Sequence, residues 1–184
     1  MLTTETLAAM AIVYPTLRGK DVCALIPELD ELNLANWISR GHIAIQSEPP
    51  PTGNGHPRTF SLLEFCQIAV MSQLVTDLHL APSVASAASL AVSGHIAVVF
   101  SNALNNDDGE LGALASHGAF VLQDGVVTLH LGTAEFVSGT AVMLKCRSIL
   151  ERVNDAADLA MARLKPSLER AETGNQGVRP GLLM

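Results

Sequence analysis

Asp30-Glu31-Leu32-Asn33-Leu34-Ala35-Asn36-Trp37-Ile38-Ser39-Arg40-Gly41 decides how the first half of this chain is read. Asp30 is a residue type that accepts hydrogen bonds from the unpaired N–H groups of a helix start. Leu32, Leu34, Ala35 and Ile38 supply apolar positions, and Gly41 can adopt the left-handed conformation that closes a helix. Just upstream, Leu17-Arg18-Gly19-Lys20-Asp21-Val22-Cys23-Ala24-Leu25-Ile26 places apolar residues at 22, 25 and 26, a short amphipathic helix stopped by Pro27. Two short helices joined by about five residues have the spacing of a helix-turn-helix.

Downstream, Ile43-Ala44-Ile45 reads as a strand, and Arg58-Thr59-Phe60 as its return strand in a hairpin over 43–60. Its tip, 48–54, carries prolines at 49, 50 and 51 and Gly53, so it cannot be a paired strand and is expected to be mobile. Ser61 then caps a long helix with Leu62, Phe65, Cys66, Ala69, Val70, Gln73 and Leu74 along one face. A further helix is expected over 82–92, stopped by Gly94 before a strand at 96–100.

The run from Leu78 to Asn106 has no Asp, Glu, Lys or Arg and is long enough to span a bilayer. Pro82, Gly94, serines at 83, 86, 89 and 93 and two histidines interrupt it, and no lysine or arginine flanks it to set an orientation. It is therefore read as part of a water-facing domain. Glu5, placed before the apolar stretch Leu7–Val13, argues against a secretory signal.

In the second half, 119–123 and 126–131 face each other across Asp124-Gly125 as a hairpin. From about Val142 to Lys165 a helix carries Ile149, Val153, Ala156, Ala160 and Leu164 down one side, with Pro166 after its end. That stripe has little sequence after it to cover it, so a homodimer through 142–165 is expected. The tail from 167, glycine-rich after Glu172, is expected to be mobile. The implied organisation is a lead segment over 1–15, a first domain over 16–93, a second over 95–166 and a tail over 167–184.

Composition narrows the function. A net charge of -7 counts against a general nucleic-acid binder, because non-specific affinity comes mostly from cations neutralising phosphates, so a DNA reading rests on locally placed cations. Cys23, Cys66 and Cys146 are far apart and odd in number, which implies neither a disulfide framework nor a metal pair and fits a reducing, cytoplasmic setting. The chain has no glycine-rich phosphate loop and no nucleophile elbow, and His79, His95, His117 and His130 are scattered. No catalytic residue, metal site or cofactor is expected, and the chain is not read as an enzyme.

Trp37-Ile38-Ser39-Arg40-Gly41-His42-Ile43, followed after a proline-rich loop by Gly55-His56-Pro57-Arg58-Thr59-Phe60-Ser61 and a long apolar helix, resembles the DNA-binding domain of MerR-type regulators and their excisionase-like relatives. The resemblance covers residues 16–92. It implies an α+β fold with an N-terminal MerR-like winged helix-turn-helix, then a small β-hairpin-containing region and a long amphipathic C-terminal helix. It also implies a dimeric, sequence-specific DNA-binding transcriptional regulator. By the same resemblance Trp37 matches the aromatic of the recognition helix, Arg40 its basic last turn, Arg58 the wing arginine and Phe60 the aromatic that packs the wing. Ala35 stands where many such proteins carry a basic residue.

The residue chemistry agrees. Asn33 and Asn36 have the paired donor and acceptor that match adenine, and Ser39 and Arg40 lie further along the same helix. Arg18, Lys20, Arg40, His42, His56 and Arg58 are the candidates for phosphate contacts with double-stranded DNA. Trp37, carried as a DNA contact by the resemblance, is by its own chemistry more often a core residue, since the only tryptophan of a small domain usually fills its centre. Two alternatives stay open: an interaction module that keeps the winged fold without binding DNA, and an excisionase-like architectural factor.

Overall fold

The computed structural model describes residues 10–45, 58–104, 118–123, 126–131 and 142–175. It is an α+β protein, mostly helical. Strand β1 (Leu17–Arg18) leads into α1 (Gly19–Leu25) and α2 (Glu31–Ser39), and then come β2 (Thr59–Phe60), α3 (Leu62–Thr76) and α4 (Pro82–Leu104). Strands β3 (Gly118–Gln123), β4 (Val126–Leu131) and β5 (Val142–Lys145) and helix α5 (Cys146–Asn175) complete the order.

Helix α2 forms for the reasons its sequence gives. The Asp30 carboxylate accepts from the Asn33 N–H at 2.6 Å. At the other end Gly41 takes φ +71°, its N–H donates to the Ile38 carbonyl and the His42 N–H donates to the Trp37 carbonyl. This is the pair of reversed bonds that satisfies the last free carbonyls of a helix. Helix α3 starts on a reciprocal cap: the Ser61 N–H donates to Glu64 Oε2 at 2.7 Å and the Glu64 N–H to Ser61 Oγ at 3.2 Å. Both residues are buried, so the cap satisfies polar groups that water does not reach.

The core forms around α3, which is buried nearly all round: Phe65, Ile68, Ala69, Val70, Met71 and Leu74 are each 2 % exposed or less. Helix α4 packs on it through Ala85, Ala88, Val92, Ile96 and Val99, and α5 through Ile149, Val153, Ala156 and Ala160. Ala11, in a short helical turn over 10–13, is fully buried in the same cluster. Met10 and Ile12 pack against it, while Val13 is exposed. The boundary expected near residue 94 falls inside α4.

Several expectations are corrected. Residues 43–45 form no strand; β2 pairs instead with β1, antiparallel, Leu17 opposite Phe60 and Arg18 opposite Thr59. The Thr16 N–H extends that ladder by donating to the Phe60 carbonyl at 3.0 Å. The rest of the expected hairpin, 46–57, lies outside the described residues. Gly94 does not stop α4, and 96–100 are helical, because Ile96 and Val99 continue the buried face one turn further. Residues 142–145 are a third strand rather than helix, giving the sheet order β4-β3-β5, all antiparallel. The hairpin of β3 and β4 is in the expected register, Gln123 opposite Val126.

Helix α5 runs through Pro166 to Asn175, past the expected stop, so the start of the tail is helical. A proline removes one backbone bond from a helix, and here it falls where the chain is exposed. The stripe Ile149, Val153, Ala156, Ala160 and Leu164 is buried within its own chain. The ground for a dimer through 142–165 was an uncovered apolar face, and that face is covered by α3.

Candidate nucleic-acid interface

Beside α2 lies an open groove of about 730 Å³, lined by Arg18, Gly19, Lys20, Arg58 and Phe60 on one side and Glu31, Leu34, Ala35, Ile38 and Ser39 of α2 on the other. The β1–β2 ladder creates it. Arg18 is placed opposite Thr59 by the antiparallel register, and Arg58 immediately precedes that pair. Lys20 follows at the start of α1. Residues remote in sequence thus put three cations along one wall. The floor is apolar, with Leu34 and Phe60 buried and Ile38 half-buried.

The acids near this wall are engaged. Asp21 accepts from Arg163 Nη1 at 2.6 Å and from the Arg18 N–H at 2.7 Å. The Arg163 hydrogen bond holds the Asp21 carboxyl below the usual carboxylate range, against the effect of its partial burial. Arg163 Nη1 also donates to the Thr16 carbonyl at 2.9 Å. Glu28, in the turn after α1, is paired with Arg152. Arg152 and Arg163 are eleven residues apart, three turns of helix, and so share one face of α5. Helix α5 therefore runs antiparallel to α1 and neutralises an acid at each end of it. Glu31 is the one carboxylate among the groove's lining residues.

The candidate residues separate into three groups. Arg18, Lys20, Ser39 and Arg58 line the groove. Asn33, Asn36 and Arg40 are exposed on the opposite flank of α2, at i, i+3 and i+7. The Asn33 side-chain amide donates to Asp30 at 3.1 Å and serves the helix cap, while the Asn36 backbone carbonyl accepts from Ser39 Oγ at 3.1 Å. Trp37 is 7 % exposed and belongs to the core, which corrects its reading as a surface contact: its position places it on the buried side of α2 with Leu34. His42 is half-buried behind the helix end, where its carbonyl accepts from Ser86 Oγ of α4 at 2.6 Å. His56 lies outside the described residues. Sequence reasoning missed Arg152 and Arg163, and no local signal marks them, because their partners are more than 120 residues away.

Among the described residues no three His, Cys, Asp or Glu side chains come together as a metal site. Burial pushes the Cys66 thiol up to about 12 and raises that of Cys23, where Glu31 and Asp30 add to the effect. Neither is an activated nucleophile. No family model, curated protein or solved structure matches the chain.

Proposed function

We propose that this protein is a sequence-specific DNA-binding transcriptional regulator whose first half is a winged helix-turn-helix of the MerR-like kind. In this reading the exposed side of α2 enters the major groove, and Arg18, Lys20 and Arg58 hold the phosphate backbone beside it. The observation that carries the reading is the gathering of those three cations along one groove while Arg163 and Arg152 neutralise the neighbouring acids. In a chain of net charge -7, that local arrangement is what lets a polyanion approach. Asn36 supplies the side-chain amide for a base edge, and Asn33 is drawn into the cap.

Two other readings use the same face. The apolar floor of Leu34, Ile38 and Phe60 is more than a phosphate strand needs and favours an acidic peptide as the alternative occupant, which would make this an interaction module. An excisionase-like architectural factor would bind duplex as a regulator does and differ in bending it. Fluorescence anisotropy with a labelled duplex tests the leading reading. Three phosphate contacts give a slope of about -2.7 in log affinity against log salt, or about a 40-fold loss between 50 and 200 mM. Alanine at Arg18, Lys20 or Arg58 should reduce that slope by about one each. Absence of duplex binding at low salt would reject the reading.

A further inference from the structure

The groove beside α2 joins two kinds of surface that a phosphate strand does not use together. Glu31, Leu34, Ala35 and Ile38 recur at i, i+3, i+4 and i+7, so they share one side of the helix. Ala35 is exposed and Ile38 half-buried, which leaves apolar surface open to a ligand. Across from them Gly19 has no side chain, and a Cβ there would lie 4.0 Å from Phe60 Cε2 and meet nothing closer. The space beside the ring is therefore open. Arg18, Lys20 and Arg58 stand against one carboxylate, Glu31, among the lining residues, a surplus of two positive charges. Arg58 is half-buried, so its attraction for an anion is screened less than that of exposed Arg18 and Lys20.

We infer that this groove binds a small amphiphilic acid, its anionic head held by Arg58 with Arg18 and Lys20 and its apolar body laid along Ala35 and Ile38. The volume of about 730 Å³ is within the range of small-molecule sites, which pair an apolar lining with a few placed polar groups. Length separates this occupant from an acidic peptide. From Glu31 to Ser39 the helix rises about 12 Å, the span of three or four extended residues, whereas a stable protein partner buries about 800 Å² on each side. An apolar body of that length with one charged end fills the groove by itself. In the reading proposed above, the same three cations hold the duplex backbone. Ligand and duplex then exclude each other, and the acid is an effector that releases DNA; that consequence alone rests on the DNA reading.

Titration of the full chain with octanoate, followed by the NMR shifts of its backbone amides, tests this directly, with octan-1-ol as the tail-only control and acetate as the head-only control. Octanoate should bind with a Kd of about 1 mM, the affinity of a ligand of about ten heavy atoms in an open groove, and at least about fivefold more tightly than either control. The amides that shift should be those of Gly19, Lys20, Ala35, Ile38 and Ser39. Arg58→Ala should weaken octanoate at least about threefold, and so should Gly19→Leu, which fills the space beside Phe60 and leaves every cation in place. At about ten times its Kd, octanoate should lower duplex affinity about elevenfold beyond acetate at the same concentration, which matches its ionic strength. Octanoate bound no better than its controls, shifts outside the groove, indifference to both variants, or a duplex bound alongside octanoate overturns the inference. So does a peptide of alternating Leu and Glu that binds about tenfold more tightly than octanoate, which would give the groove to a protein partner. A chain that binds octanoate in the groove and no duplex at low salt would keep the site and reject the DNA reading.

Discussion

Replacing Arg163 with Met removes the clamp between α5 and the start of α1. The change deletes two hydrogen bonds, to the Thr16 carbonyl at 2.9 Å and to Asp21 Oδ2 at 2.6 Å, while keeping most of the aliphatic stem. Asp21, whose side chain is 12 % exposed in the intact chain, is left with its charge answered by the Arg18 N–H and the nearby Lys20. Hydrogen bonds to charged groups contribute about 1.5–3 kcal/mol each, but Arg163 is 31 % exposed and solvent screens part of the attraction. The expected loss is about 2 kcal/mol by urea denaturation at pH 7. The pH dependence has a definite sign. Asp21 has a folded-state pKa below its ordinary 3.8, so the pair's contribution is complete above that value and fades as pH falls through the lowered one. The gap between the unaltered chain and Arg163→Met should therefore narrow below about pH 4, leaving the share of the Thr16 hydrogen bond, which does not titrate. A double-mutant cycle with Asp21→Asn should return about 1 kcal/mol of coupling. A loss under about 0.5 kcal/mol, or a gap unchanged from pH 7 to pH 3 while both proteins stay folded, would refute the reasoning.

Gly41→Ala should cost about 1 kcal/mol in the same assay, since the position has φ +71° and no contact within 4 Å that a methyl group would improve. Ser61→Ala should cost about 1–2 kcal/mol, because the buried Glu64 N–H loses its acceptor. Thiol labelling of the native protein should proceed first at half-buried Cys23, with Cys66 and Cys146 reacting only on unfolding, as quantified by mass spectrometry of digested samples.

The parts of the fold legible in sequence are those in which a few adjacent residues carry the physics. Asp30 and Gly41 bound α2 because capping is local chemistry, and the same holds for Ser61 at the start of α3. The pairing of β1 with β2 was not legible: each strand is two residues long, too short for any alternation to show, and the partners are separated by the whole of α1 and α2. Gly94 and Pro166 misled for a common reason. Each weakens a helix locally, but Ile96 and Val99 beyond the first repay continuation by burial, and α5 persists beyond the second to Asn175. The stripe on α5 was visible, but periodicity does not say what covers it. For the site, the cations Arg18, Lys20 and Arg58 could be named from sequence. Their convergence, and the neutralisation of Asp21 and Glu28, depend on contacts that only the folded chain makes.

The central claim is that α2 reads bases while the groove beside it holds phosphate, and paired substitutions test it most directly. A binding site is first selected from a randomised duplex pool with the unaltered chain. Arg58→Ala and Asn36→Ala are then titrated against that site and against random duplex. The account predicts that Arg58→Ala weakens both by about 1 kcal/mol, whereas Asn36→Ala narrows the gap between them by about 1–3 kcal/mol and leaves random-duplex binding nearly unchanged. Failure to enrich any duplex, or equal losses on both duplexes for the two variants, would contradict it.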